Sequence, residues 1–202
     1  MPFVSDRFVT AIKEKKSSSG GTDLFLNPGS LGDGDSVRFH PLGDKSLDFY
    51  EIWGRSSEGR PKSLRFSEEP ITKELNDRAA DEGVQLIDQK GQPTRLKPAL
   101  AFWVWNYATS SVQLFQASQV SILESLAALL SDPDVVKEPN IYDFELSRTG
   151  TGMDTRYTVL LKPGRRKGVV GEQIDAAWEE CVAEGYNLEA LLTGGDLTKM
   201  PF

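Results

Sequence analysis

Short runs of alternating apolar and polar residues fill most of the chain from position 24 onward, the period-two pattern of strands with one buried face. LFL (24–26) and VRFH (37–40) flank a Gly/Asp turn, and LDFYEIWG (47–54) and PKSLRF (61–66) flank the polar turn RSSEGR. PALAFWVWNY (98–107) and VQLFQA (112–117) are joined by ATSS, and IYDFELSR (141–148) and MDTRYTVLL (153–161) by TGTG. Both pairs are predicted hairpins. Between them SQVSILESLAALLSDP (118–133) changes to a helical period, with Val120, Leu123, Leu126, Ala127 and Leu130 as its apolar stripe. Ser118 is the expected cap and Pro133 the stop. A second amphipathic helix is predicted over EQIDAAWEECVAEG (172–185), with Ile174, Ala177, Trp178, Cys181 and Val182 on one side, and NLEALL adds a further helical turn.

Two stretches break the alternation. Residues 67–97 are charged, with a weakly helical piece, ITKELNDRAADEG, and a turn at GQP, and read as an insertion between strands. KEKKSSSGGT (13–22) is a flexible, weakly basic linker, preceded by a short arm with Phe3, Phe8, Val9 and Ile12 at roughly helical spacing. The expected organisation is arm and linker (1–22), a β domain (23–168) carrying the insertion 67–97, and an acidic helical segment and tail (169–202). Short strands with one helix between two hairpins predict a mainly β fold. The specific expectation is an OB-fold: a five-stranded Greek-key barrel with one internal helix, an inserted charged segment and a C-terminal helical, acidic tail. Immunoglobulin sandwiches fit the helix badly, and doubly wound α/β folds fit the hairpins badly.

With 39% apolar and 26% charged residues, a chain of 202 residues can bury a core without disulfides or metal. The single cysteine, Cys181, cannot form an internal disulfide, which fits a reducing cytoplasm. One cysteine and one histidine, His40, exclude the usual four-ligand structural zinc site and leave His40 as the only base for a hydrolytic triad. No cofactor and no metal are expected. Nor is a membrane span or a secretion signal: no apolar run approaches the ~20 residues of a spanning helix, and MPFVSDRFVT lacks a basic region followed by an apolar one. The net charge of −7 is uneven. Seven of the 30 acidic residues and one of the 23 basic ones lie in 171–202, so the preceding body is nearly neutral and can carry a basic face.

Chemistry concentrates in the strand 98–107. Alternation puts Leu100, Phe102 and Val104 on one face and Trp103, Trp105 and Tyr107 on the other. The second row is either another core, covered by the insertion or a terminal arm, or a platform on which bases of a single strand stack. Cations for phosphates are near in sequence: Arg95 and Lys97 before the strand, Arg55 and Arg65 around the turn after Trp53, and Arg148 and Arg156 on the last hairpin. Arg60, Lys62 and the loop residues Arg165, Arg166 and Lys167 add to them. TGTG joins two strands with no helix behind it, so its glycines serve a hairpin turn, and DGD (33–35) reads as a turn. No nucleophile elbow, P-loop, dinucleotide fingerprint or suitably spaced carboxylate pair occurs, so no enzymatic activity is expected. At the C-terminus, an acidic stretch, Gly-Gly and then Met200, Pro201 and Phe202 form a tail that a partner could capture.

KPALAFWVWNYATSSVQLFQASQVSILESLAALLSDPD followed by IYDFELSRTGTGMDTRYTV resembles the phage single-stranded DNA-binding proteins. That family has an aromatic V-W-(D/N)-Y strand, then a strand and helix, then a Y-D-(I/F)-x-(L/I)-x-R-x-G-x-G-(L/M)-D-T-(K/R)-Y hairpin. The resemblance covers 95–161 well and 24–66 loosely; the insertion and residues 1–20 fall outside it. It implies an OB-fold that coats single-stranded DNA in replication, recombination and repair, in the cytoplasm of an infected bacterial cell, without catalysis. It also implies a tail that recruits replication or recombination proteins through the terminal Phe, although here the tail is dilute in acid and contains Lys199. The zinc subdomain of some relatives is absent. The stacking residues expected are Trp53, Trp103, Trp105 and Tyr107; the phosphate contacts expected are Arg55, Arg65, Arg95, Lys97, Arg148 and Arg156. The rival reading is an OB-fold adaptor of a phage replication or transcription complex, with the aromatic rings buried and the tail docking a partner.

Overall fold

The alternating segments become strands wherever a partner can bury their apolar face, and the longest, most aromatic segment takes the central position. The computed structural model describes residues 24–133, 135, 141–164 and 168–199. The arm and linker, Arg165, Arg166 and Lys167, and the tail residues Met200, Pro201 and Phe202 lie outside the described residues. The strands are β1 (Phe25–Leu26), β2 (Ser36–Pro41), β3 (Leu47–Ser56), β4 (Pro61–Phe66), β5 (Val84–Gln85), β6 (Lys97–Asn106), β7 (Ser111–Ala117), β8 (Tyr142–Thr149) and β9 (Arg156–Pro163). The helices are α1 (Thr72–Asp81), α2 (Val120–Leu130), α3 (Val169–Glu184) and the short α4 (Ala190–Thr193).

The sheet runs β1-β7-β6-β2-β8-β9, with β3 joining β6, β4 and β5 beside this path. Strand β6 pairs with β7 along one edge, from Leu100 opposite Ala117 to Asn106 opposite Ser111. Its other edge is divided. Residues 97–101 pair with β3, and residues 104–106 pair with β2. All ladders are antiparallel except β1 with β7.

Three expectations about the architecture are corrected. The sheet is not closed into a barrel: among the described residues no ladder joins its two ends, and α2 packs on β9 instead. Among the described residues the expected single internal helix is joined by another, because the weakly helical piece of the insertion folds as α1 under the apolar cluster of Ile52, Leu64, Phe66, Ala79 and Val84. The buried stripe of α2 is Ile122 and Leu126, with Leu129 packed beside them, while Val120 is exposed. The segment is apolar at so many positions that the helical period alone does not select the face. Leu123, Ala127 and Leu130 line a groove instead.

Smaller boundaries shift for local reasons. Gln119, not Ser118, caps α2; it makes no side-chain cap bond, and its Oε1 accepts from the Ser118 backbone N–H at 3.2 Å. β9 starts at Arg156 rather than Met153 because residues 152–154 coil into a 3-10 turn. That turn needs Gly150, whose φ is 78° and where a Cβ would collide with the Asp154 carbonyl. On α3, Ile174 and Cys181 are buried but Val182 is half exposed.

Two cores sandwich β6. Phe102 and Val104 face a core with Phe39, Phe115, Phe144, Leu146 and Ile122, in which the Phe39 and Phe115 rings stack at 5.1 Å. Trp103 and Trp105 face a second core with Phe49, Leu114, Ile174, Leu191 and Leu197, supplied largely by the C-terminal segment.

Candidate nucleic-acid interface

The alternation of PALAFWVWNY is as expected, but both of its faces are covered. Trp103 is 3% and Trp105 7% exposed. The Tyr186 ring lies 4.9 Å from Trp103, centroid to centroid, and α3 and α4 cover the rest. In this arrangement neither indole offers a face to a base, which corrects their assignment as stacking platforms. The cover is anchored by hydrogen bonds as well as by apolar packing. Arg65 Nη1 donates to the Leu191 carbonyl at 3.2 Å, and Arg78 Nη2 to the Leu192 carbonyl at 3.3 Å. Burial pushes the Tyr186 phenol up to about 12, with the Cys181 thiol beside it acting in the same direction.

Tyr107 is turned to a structural task. Its hydroxyl donates to Asp143 Oδ1 at 2.9 Å, and its ring lies 6.0 Å from the Arg38 guanidinium. Asp143 is fully buried and also takes Arg38 Nε at 2.8 Å and His40 Nδ1 at 3.0 Å. An ionised carboxylate only accepts, so His40 carries its proton on Nδ1 toward Asp143. The imidazole is itself sealed from solvent, with Nε2 unpartnered. The group thus ties β2 and β8 to the residue that follows β6 rather than presenting a base to a substrate.

The cations divide. Arg65 is mostly buried beside Glu51, 3.9 Å from Nε to Oε2, and its burial lowers the guanidinium from its ordinary value while Glu51 opposes that. Its hydrogen bond to α4 makes it an internal strut, not a free phosphate contact. Arg148 is likewise committed: it donates to the Leu31 carbonyl and, at 3.4 Å, to Thr155 Oγ1. Asp33 Oδ1 accepts from the Gly150 backbone N–H at 2.7 Å, so the DGD turn and the TGTG turn brace each other. In the hairpin motif, therefore, Asp143, Arg148, Gly150 and Tyr157 are scaffold, whereas Arg156 is exposed and Met153 stands clear at the tip.

Of the remaining expected residues, Trp53, Arg55, Arg95 and Lys97 lie toward one end of the sheet, apart from Arg156. Trp53 is 46% exposed, the most exposed tryptophan among the described residues. Arg55 follows two positions later on the same face of β3, and Nη1 donates to the Gly59 carbonyl at 2.6 Å. Lys97 pairs with Glu51, so it shares that face, and it is exposed, as is Arg95. One open aromatic ring with three cations is a surface that can stack a base and neutralise phosphates. One edge of this surface comes from the insertion, whose Asp88 and Gln89 line the cleft beside Trp53; nothing in the local pattern beyond their polarity marks them.

Comparison with protein-family models, with curated proteins and with solved structures finds no match to the chain. Among the described residues, no helix is long and apolar enough to cross a membrane.

Proposed function

We propose that the chain binds single-stranded DNA on an OB-type scaffold, in replication, recombination and repair, and that it is not an enzyme. The observation that carries the reading is the exposed Trp53 ring set among Arg55, Arg95 and Lys97. The strand order β7-β6-β2-β8-β9, with α2 between β7 and β8, supports it, because this is the five-strand order of an OB-fold with its usual helix position. The resemblance of the aromatic strand and the RTGTGMDTRY hairpin to phage single-strand binders adds to it. The DNA path runs over the Trp53 end of the sheet, not over Trp103 and Trp105. Arg156, on the far hairpin, belongs to a separate exposed surface. Recruitment of replication proteins through Met200, Pro201 and Phe202 remains part of the proposal.

The decisive measurement is anisotropy of a labelled oligo-dT at low salt with the native chain and with Trp53→Ala. Base–aromatic stacking contributes about 1–3 kcal/mol, so the variant should bind some five- to hundredfold more weakly. Absence of binding by the native chain would overturn the reading. One observation favours the adaptor reading instead: the burial of Trp103 and Trp105, which removes two of the rings a DNA platform would use.

A further inference from the structure

The insertion is not a passive excursion. It returns to the sheet at β5, whose backbone lies so close to β3 that a Cβ on Gly54 would collide with the Gln85 carbonyl. From there the chain forms a tight turn. Asp88 N–H donates to the Gln92 carbonyl at 2.8 Å, and Thr94 N–H to the Leu86 carbonyl at 3.0 Å. Asp88 Oδ1 accepts from the Lys90 and Gln92 backbone N–H groups at 2.7 and 2.9 Å. These bonds fix the carboxylate in place and leave Oδ2 outside the turn's own bonding. They also hold the acid below its ordinary range, the Gln92 and Lys90 bonds first, with the Lys90 and Arg55 charges adding to them, so it is ionised at neutral pH.

The turn and β3 enclose a cleft of about 200 Å³, lined by Trp53, Arg55, Pro61, Asp88, Gln89 and Thr94. The volume suits one nucleobase and not a pair. Its lining includes the exposed indole, a fixed carboxylate and an exposed amide. Thr94 Oγ1 sits in the wall, buried and without a hydrogen-bond partner. The elements of base reading are therefore present together: a stacking surface, one carboxylate of fixed orientation, and further polar groups for the base edge.

We propose that this cleft is a base-selective subsite that takes guanine from a single strand. An ionised carboxylate is matched only by donors. Because Oδ1 already accepts two backbone N–H groups, Oδ2 is the acceptor left for the base; guanine meets it from N1–H or the N2 amine, two adjacent donors, with O6 beside them for the Gln89 amide. Adenine and cytosine place an unprotonated ring nitrogen, which a carboxylate repels, next to their amine. Thymine offers one N–H between two carbonyl oxygens. Arg95 and Lys97 hold the flanking phosphates. The assignment rests on the single-strand reading above and deepens it, because it makes a general binder favour guanine at one position.

The test compares oligo-dT of about 12 nucleotides, a length within the span of one OB-type domain, with the same oligomer carrying one central dG, dA or dC. The matching oligo-U with one G, and dGMP alone, are run beside them. A single dG should tighten binding about tenfold, in the range of one good base-edge pair. Asp88→Asn keeps an oxygen for the Lys90 and Gln92 N–H groups but replaces the second acceptor with a donor. It should abolish the dG preference, read within the variant as the ratio of dG-oligomer to oligo-dT affinity. An equal preference in the RNA series supports the subsite and shows that it reads the base on either backbone. A preference confined to RNA, or saturable binding of dGMP alone with no preference in oligomers, overturns it. Equal binding of all four DNA oligomers, or a dG preference retained in Asp88→Asn, overturns the subsite while single-strand binding stands. Failure of every oligomer to bind overturns both.

Discussion

Asp143 shows what one buried charge does in this sheet. With Arg38, His40 and Tyr107 around it, its carboxylate joins β2 and β8 to the residue that follows β6. Removing it leaves the Arg38 guanidinium and the His40 and Tyr107 donors without their acceptor. Breaking a buried pair in this way costs about 3–5 kcal/mol. Asp143→Ala should therefore lower the free energy of unfolding by that amount, read as a drop in the denaturant midpoint. Asp143→Asn, which keeps acceptor capacity but not the charge, should lose less. From the sequence, Asp143 was visible only as a letter in the resembling hairpin motif. Its partners lie 36 to 105 positions away, and no local pattern joins them.

At the scale of elements, the strands were legible because period-two alternation is a local property, and each predicted strand is present within a few residues. What was not legible was the covering of the outer face. Trp103 and Trp105 alternate correctly with Phe102 and Val104, but alternation states only that the two rows face opposite ways, not that one of them meets solvent. The segment 171–202 read as an acidic amphipathic helix and tail with no stated docking place, yet Ile174, Leu191 and Leu197 within it build a core on the outer face. The acidic residues occupy its other side. In the same way Arg65 and Arg148 read as surface cations because nothing local reveals the carbonyls of Leu191 and Leu31 that they bind. Truncation after Gly168 should consequently not free a DNA platform. It would expose Trp103, Trp105, Phe49 and Leu114, each at about 1.5–3 kcal/mol of lost burial. The expected outcome is an unstable, self-associating chain, checked by thermal melting and size-exclusion chromatography. A stable monomer with tighter oligo-dT binding would show that the segment is a removable cover.

For the whole molecule, the relevant quantity is how few cations remain available. The net charge is −7. Of the arginines and lysines expected at phosphates, Arg65 and Arg148 are taken up internally, which leaves Arg55, Arg95, Lys97 and Arg156. Each phosphate neutralised on a single strand contributes about −0.7 to the slope of log K against log salt. A slope of about −2 to −3 is therefore expected from oligo-dT titrations at several salt concentrations. A slope near zero would argue for a partner that is not a nucleic acid.

The divided edge of β6 has a further consequence. One strand borrows β3 for its first half and β2 for its second, while its two faces belong to different cores. Opening either core next to this strand severs hydrogen bonds or apolar contacts of β6. The Phe-rich interior and the helical cover are in that sense held by a shared spine, so a lesion applied to one of them is felt by the other.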